Sequence, residues 1–314
     1  MNFKKYFLVG LVLILAFAGL ASAAQSDAFP SKPVTIVVTF PPGGRSDLSA
    51  RILAGRFQKL WGQAVVVANR AGAGGTIGSR FVADAKADGY TILFTTSALI
   101  SAQYLIEKAP RLEDFQALSV MEISYPVLVA RKGLNLSLNN LAASSAGAPT
   151  RFSIGFVPGA TPQILTEALL SATKSDMTRV PFKGESEAVA ALLGDHVDLF
   201  ASSWATVQGH VKAGKLEPIA VASPVRQPDI PGVPTFREYG LDWTLEVFQA
   251  FFVPKATPRD IARQIEEAIK TVMDDPSLIN DMKAIGLIPR YLDARQSESL
   301  MSKQNTQFKA VVDR

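Results

Sequence analysis

Apolar positions in this chain form short continuous runs that alternate with longer stretches of helical period. The run PVTIVVTF (33–40) is apolar at almost every position, which is typical of a strand buried on both faces of a parallel sheet. In the next stretch, apolar residues recur at helical spacing from Ala50 to Trp61. Two more strands are predicted at 64–70 and 90–97, with a helix between them. The alternation predicts an α/β fold built on a mainly parallel sheet flanked by helices.

The same alternation starts again after Tyr125, which predicts a second α/β lobe. We expect the first lobe to comprise 25–124 plus 250–314, and the second lobe to comprise 125–249. A long amphipathic helix in the first lobe should begin with Thr257 as its N-cap. The strands predicted after the restart lie at 151–157, 178–182, 197–203, 218–223 and 248–254.

Residues 1–23 have the pattern of a secretory signal peptide. Lys4 and Lys5 precede an uncharged apolar segment, and Ala21-Ser22-Ala23 fits the small-x-small cleavage pattern. We therefore expect cleavage after Ala23 and a periplasmic protein. The alternative is an uncleaved anchor, although a membrane-spanning helix usually needs about 20 apolar residues.

The composition argues against several functional classes. The formal net charge is +4, with both signs interspersed and no basic run, so nucleic acid is not an expected partner. The chain has no cysteine, and its two histidines, His196 and His210, have neither metal-ligand spacing nor a nearby nucleophile motif. We therefore expect no catalytic residues, no metal and no cofactor.

The segment GAGGTIG (72–78) is the nearest approach to a nucleotide-binding motif. It follows a predicted strand and opens a helix, but its last glycine comes one position too late for G-x-G-x-x-G. The next strand also lacks the acidic residue that would bind a ribose. This segment is therefore not expected to bind a dinucleotide.

Small, polar or glycine-rich loops follow several predicted strands. In parallel α/β sheets ligands bind at this edge, and a helix that starts there favours an anion. In FPPGGRSD (40–47), Gly43 and Gly44 would let the backbone approach a ligand, and Ser46 or Asp47 would cap the helix. The other loops are FTTSA (94–98), FVPGATP (156–162), FKGES (182–186) and ASS (201–203). An ordinary capped strand–helix loop would show the same pattern, so both interpretations stay open.

Two cations accompany these loops. Arg45 could bind a ligand carboxylate through its planar guanidinium, directly or through water. Lys183 could supply a second cation. Either side chain could instead point into solvent.

Four long blocks resemble one known family, the Bug-type substrate-binding proteins of tripartite tricarboxylate transporters. The blocks are PSKPVTIVVTFPPGGRSDLSARILA, VVVANRAGAGGTIGSRFVADAKADGYTILFTTS, VPFKGESEAVAALLGDHVDL and VKAGKLEPIAVASPVRQPDIPGVPTFREYG. The resemblance implies a monomeric, two-lobe periplasmic-binding-protein-like fold (type II) with a ligand cleft between the lobes. It also implies closure on a small organic acid, which then passes to a membrane permease of one large and one small subunit. Main-chain groups of the β–α loops typically hold the carboxylate in this family.

The resemblance also implies a set of ligand-binding positions. To them we add Arg45 and two positions that depart from the family pattern, Val157 and Ser202. Val157 lies where small polar residues are common, and its added bulk hints at a more apolar acid. A dicarboxylate or an aromatic acid is the expected kind of ligand. Ser202 stands where an aspartate often holds a ligand ammonium, which argues against an amino acid. The positions that the resemblance itself implies are Phe40, Gly43, Gly44, Ser46, Asp47, Thr96, Ser97, Gly159, Ala160, Thr161, Lys183 and Gly184.

Two other functions remain open at this stage. The same receptor could present its ligand to a membrane sensor kinase instead of a permease. A secreted hydrolase is the less favoured alternative, because no nucleophile–base pair is evident.

Overall fold

The computed structural model describes residues 29–144, 152–285 and 287–312. The predicted signal peptide and its cleavage site lie outside the described residues. The described strands form two sheets, and helices connect and flank them.

The first sheet has six strands. They are, in spatial order, β2 (Val65–Asn69), β1 (Val34–Val38), β3 (Thr91–Thr96), β10 (Val247–Pro254), β4 (Phe115–Ser124) and β11 (Pro289–Leu292). The helices that accompany it are α1 (Arg45–Trp61), α2 (Thr76–Ala83), α3 (Ala98–Leu105), α8 (Arg259–Met273), α9 (Pro276–Ala284) and α10 (Ala294–Val312).

The second sheet has five strands. They are, in spatial order, β7 (Thr178–Pro181), β6 (Ser153–Phe156), β8 (Leu199–Ser203), β5 (Pro126–Arg131) and β9 (Leu216–Val221). Its helices are α4 (Leu138–Ser144), α5 (Thr161–Thr173), α6 (Glu185–Leu193) and α7 (Trp204–Lys212).

Both sheets are mixed rather than mainly parallel as the sequence predicted. Strand β1 pairs in parallel with β2 and β3, whereas β10 pairs antiparallel with both β3 and β4. In the second sheet β6 pairs in parallel with β7 and β8, and β5 pairs antiparallel with β8 and β9. The predicted α/β class is confirmed, and only the strand direction differs: β10 is buried at every position and almost wholly apolar, so its sequence looks like that of a parallel strand.

Two expected helix starts are shifted. The N-cap of α1 is Gly44, and neither Ser46 nor Asp47 caps it with a side chain. Helix α8 starts at Arg259 with Pro258 as N-cap, so Thr257 lies one position before the cap. These are shifts of one to three residues, the usual uncertainty of helix ends.

An aromatic cluster fixes α1 against the first sheet. Phe57 of α1 stacks on Trp61 with ring centroids 4.9 Å apart and meets Phe251 of β10 edge-on at 5.7 Å. Phe251 also contacts Phe94 of β3 at 4.6 Å. Since Phe57, Phe94 and Phe251 are almost fully buried, this packing sets where the N-terminus of α1 lies.

Candidate functional site

Residues from both sheets line one cavity of about 700 Å³, part of which is open solvent. It lies where β1, β3, β6 and β8 reach their carboxyl ends, at the edge where α/β proteins bind ligands. The lining residues are Phe40, Pro41, Gly44, Arg45, Ser46, Thr96, Phe156, Val157, Ala160, Pro162, Gln163, Thr166, Glu185, Ser186, Phe200, Ala201, Val247 and Gln249.

Three helices begin at this cavity. Gly44 precedes α1, Ala160 precedes α5, and Glu185 is the first residue of α6; all three line the cavity. The start of a helix has unpaired N–H groups and the positive end of the helix dipole. Convergence of three such ends makes the cavity attractive to an anion.

The carboxylate of Asp47 holds the first loop in place. It accepts hydrogen bonds from the Gly43 N–H (3.0 Å), from Asn69 Nδ2 (2.9 Å) and from Arg51 Nε (2.9 Å). Asn69 also donates to the carbonyl oxygen of Phe40 (3.1 Å). Burial alone would raise the pKa of Asp47, but the hydrogen bonds outweigh burial and lower it. Asp47 is therefore a charged residue that shapes the loop, and it is not among the cavity-lining residues.

Arg45 forms a buried ion pair below the same loop. Its Nε lies 2.7 Å from Oε1 of Glu122, and the side chains are 5% and 0% exposed. The N–H does not point at that oxygen, so the contact is electrostatic rather than an aligned hydrogen bond. Arg45 Nη1 also donates to Ser124 Oγ, and Ser49 Oγ donates to Glu122 Oε2 (3.1 Å). Burial raises the pKa of Glu122 despite the nearby guanidinium.

Gln249 lies beside this pair in the middle of the sheet. Strand register places it opposite Thr96 of β3 and opposite Glu122 of β4. Its side chain is fully buried and lines the cavity. The amide N–H of Gln249 faces Glu122, whereas Gln249 Oε1 and Arg45 Nη2 are buried without a hydrogen-bond partner. Arg45 also lines the cavity, so a ligand there could reach both side chains.

Glu185 of the cavity wall is hydrogen-bonded to the end of β8 and to the start of α7. Its Oε2 accepts hydrogen bonds from Ser203 Oγ (2.9 Å), Thr206 Oγ1 (2.8 Å) and Ser202 Oγ (3.3 Å). Ser202 is fully buried, and its neighbour Ala201 lines the cavity instead. These bonds fix a carboxylate at the start of α6.

Loops of the two sheets also touch each other directly. Ser97 Oγ lies 2.7 Å from Thr161 Oγ1, and Ser101 Oγ donates to the Gly159 carbonyl at 2.7 Å. The backbone of Gly74, from the GAGGTIG segment, packs on Gly159. These residues join the two sides of the cavity rather than line it.

The structure brings part of the predicted set to the cavity. Lys183 is exposed, and its main-chain N–H donates to Glu187 (2.9 Å), while Gly184 packs against Pro41. Ligand contact by each predicted residue stays a prediction. Seven predicted positions line the cavity: Phe40, Gly44, Arg45, Ser46, Thr96, Val157 and Ala160. Eight others do not: Gly43, Asp47, Ser97, Gly159, Thr161, Lys183, Gly184 and Ser202.

Sequence reasoning missed Glu122, Gln249 and Glu185. For the first two a signal existed, because a charged or amide residue interrupts an otherwise apolar strand in SVMEIS and FQAFF. Such residues are seldom fully buried without a partner. Glu185 gave no signal, because an acidic residue in the first turn of a helix is common.

The two mixed β-sheets, flanked by helices and with a cavity at their strand ends, define a two-lobe fold of the periplasmic-binding-protein type. Residues 49–314 match the family described as tripartite tricarboxylate transporter family receptor. BugT of Bordetella pertussis is 32% identical over 96% of this chain and 94% of its own length. The chain therefore belongs to this receptor family and is a Bug-type substrate-binding protein.

Solved structures agree with this assignment. The periplasmic binding protein BugD matches with a TM-score of 0.83 and 28% identity, covering 91% of this chain and 97% of BugD. MatC from Rhodopseudomonas palustris, solved with bound malate, matches with a TM-score of 0.84 and 26% identity. That match covers 90% of this chain and 100% of MatC.

Two features are absent from the described ranges. Within 29–144, 152–285 and 287–312, no helix has the length and apolar character needed to cross a membrane. In the same ranges, no group of three or more histidine or acidic side chains is placed to hold a metal ion.

Proposed function

We propose that this protein captures a small organic carboxylate in the periplasm and delivers it to the membrane permease of a tripartite tricarboxylate transporter. The observation that supports the proposal most is the convergence of three helix N-termini on one cavity. The starts of α1 and α5 would favour a carboxylate without a dedicated cation, whereas the start of α6 already carries the carboxylate of Glu185. Family membership and the malate bound to the R. palustris relative support the same ligand class.

The remaining cavity wall favours an acid with an apolar part. Phe40, Phe156 and Phe200 line it, together with Val157 and Val247. Apolar surface of a ligand would be removed from water against these side chains. An aromatic acid or an aliphatic acid of several carbons fits this wall.

Binding would occur by closure of two lobes, 25–124 plus 250–314 against 125–249. The predicted loop positions, Phe40 to Asp47, Thr96–Ser97, Val157 to Thr161, Lys183–Gly184 and Ser202, would meet around the ligand. Closure needs no covalent step, so we propose a monomeric binding protein without catalytic activity or cofactor. The signal peptide would direct export and be removed by cleavage after Ala23.

A thermal-shift screen of residues 24–314 tests the proposal. Mono-, di- and tricarboxylates, aromatic acids and amino acids are compared with the uncharged amides of the same acids. A ligand at 100 times its Kd should add about 2.7 kcal/mol to the free energy of unfolding. If carboxylates stabilise no better than their amides, carboxylate capture is refuted.

Delivery to the permease needs a separate experiment. Deletion of the gene for this protein should abolish uptake of the ligand identified in the screen, and the wild-type gene should restore it. Unchanged uptake in the deletion strain would point to the sensor role instead.

A further inference from the structure

The buried ion pair leaves the inner wall of the cavity without net positive charge. Arg45 and Glu122 cancel each other, because Nε and Oε1 are only 2.7 Å apart and both side chains are buried. A second carboxylate, Glu185, lines the same cavity. Among the described residues, the only cationic side chain in this wall, Arg45, is therefore already neutralised and cannot also balance a second anionic group of a ligand.

The same wall holds polar atoms without partners. Arg45 Nη2 can still donate and Gln249 Oε1 can still accept, whereas the amide N–H of Gln249 interacts with Glu122. Strand register places Gln249 opposite Glu122 and Thr96, and all three are buried. The interaction with Glu122 fixes the orientation of the Gln249 amide, because an ionised carboxylate only accepts hydrogen bonds and so faces the amide nitrogen. Buried polar atoms are unfavourable unless something pairs with them, and a ligand in the cavity could do so.

The unpaired atoms define the chemistry of that ligand group. It must accept a hydrogen bond from Arg45 Nη2, and it must donate one to Gln249 Oε1. A hydroxyl or a carboxamide does both. An ionised carboxylate cannot donate, and it would approach the buried charge of Glu122 in a region of low dielectric.

We propose that Arg45, Glu122 and Gln249 form a subsite for an uncharged ligand group that both donates and accepts hydrogen bonds. The preferred ligand is then a carboxylate with a hydroxyl or carboxamide at its other end, rather than a diacid. This inference rests on the proposed function, in which the helix N-termini hold the single carboxylate.

Matched acids that differ only at the far end test the subsite. One set is pentanoate, 5-hydroxypentanoate and glutarate; the second, of different shape, is 4-methylbenzoate, 4-(hydroxymethyl)benzoate and terephthalate. Titration calorimetry gives the Kd of each. In at least one set we expect the hydroxy acid to bind at least about tenfold more tightly than the methyl acid and the diacid of that set. Only the hydroxyl can pair with both the free donor and the free acceptor of the subsite.

Two variants separate the roles of Gln249 and Glu122. Gln249→Met keeps the length of the side chain but removes the amide, so the hydroxyl-over-methyl preference should fall at least about fivefold. Glu122→Gln removes the charge that cancels Arg45, so the diacid should gain about tenfold relative to the hydroxy acid. Gln116→Met is the control, because Gln116 of β4 lies outside the cavity and donates to the main-chain carbonyls of Lys255 (2.8 Å) and Thr257 (2.7 Å). It should leave the ratio of the three affinities unchanged.

The outcomes distinguish this subsite from carboxylate capture itself. Equal binding of all three acids in both sets, or tighter binding of the diacids, refutes the subsite and leaves carboxylate capture intact. An unchanged preference in folded Gln249→Met also refutes it. If none of the six acids binds, carboxylate capture fails for these classes and the subsite fails with it.

Discussion

The hydroxyl oxygens of Ser97 and Thr161 lie 2.7 Å apart and link the two sheets of the fold. Ser97 follows the last residue of β3, and Thr161 begins α5 after β6. Both side chains are fully buried. If the lobes close around the ligand as proposed, this bond exists only in the closed state and contributes to ligand affinity.

A double-mutant cycle tests that link. Ser97→Ala and Thr161→Val should each weaken ligand binding, with a coupling energy of about 0.5–1.5 kcal/mol between them. The measurement is titration calorimetry with the tightest acid from the screen.

Thr39 and Thr95 are the matched control for the cycle. Their hydroxyls also lie 2.7 Å apart and are buried, but Thr39 directly follows β1 and Thr95 lies in β3, so this bond does not link the two sheets. Thr39→Val with Thr95→Val should change the free energy of unfolding and show no coupling in ligand affinity. Equal coupling in both pairs would show that the Ser97–Thr161 bond is unrelated to closure.

Gly74 offers a steric test of the same contact between loops. Its φ is +62°, and a Cβ at this position would collide with the Pro158 carbonyl and lie 2.7 Å from Cα of Gly159. Gly74→Ala should therefore hold the loops apart and weaken ligand binding at least about tenfold.

Gly62→Ala controls for backbone strain. Gly62 has nearly the same φ, +64°, but a Cβ there would have nothing within 4 Å. Both variants should lose about 1–2 kcal/mol of stability from the left-handed conformation. Only Gly74→Ala should lose affinity; similar losses of affinity in both variants would contradict the steric argument.

The GAGGTIG segment shows what the sequence could and could not indicate. The sequence correctly placed the segment between a strand and a helix, because glycines and apolar periods are local signals. It could not indicate that Gly74 packs on Gly159, since that contact depends on how two distant loops meet. The same limit applies to Glu122 and Gln249, whose proximity follows from the antiparallel register of β4 and β10.

The first strands and the first helix were predictable because their apolar patterns lie within short stretches of the sequence. Strands β1, β2 and β3 and helix α1 have strong local periodicity, and each was predicted within a few residues. Strand β4 was missed because Ser119, Glu122 and Ser124 interrupt its apolar pattern, although all three are buried.

Removal of Arg45 should destabilise the protein in a pH-dependent way. Arg45→Met leaves the fully buried Glu122 without its counter-charge, which typically costs about 3–5 kcal/mol near pH 7. The pKa of Glu122 is raised above its ordinary 4.5 by burial. The penalty belongs to the charged form, so it is present above the folded-state pKa and disappears as the pH falls and Glu122 takes up a proton.

Urea unfolding of the parent and Arg45→Met at pH 7.5 and pH 5 measures this effect. The stability difference should be smaller at pH 5. The double variant Arg45→Met/Glu122→Met should recover most of the loss, because it removes both charges. A loss that is the same at both pH values would mean that the packing of Arg45, not the charge of Glu122, is responsible.

Acid stability should depend on an exposed ion pair between Arg226 and Glu238. Arg226 Nη2 lies 2.6 Å from Glu238 Oε2, and the Thr235 N–H donates to Glu238 Oε1 (2.9 Å). The Arg226 hydrogen bonds, with the Thr235 N–H, lower the pKa of Glu238 from 4.5 to about 2. Because the folded-state pKa is depressed, the stabilisation is complete above about pH 4.5 and is lost as the pH falls towards 2.

Glu238→Gln keeps an oxygen for the Thr235 N–H but removes the charge. The parent should unfold at a higher urea concentration than Glu238→Gln at pH 7, and the difference should shrink between pH 4.5 and pH 3. Added salt should also reduce the difference, since both side chains are exposed. In an Arg226→Met background the Glu238→Gln effect should be smaller, and what remains should come from the hydrogen bond of the Thr235 N–H to the charged carboxylate. A difference that stays constant from pH 7 to pH 3 would show that Glu238 acts through its hydrogen bond to the backbone and not through its charge.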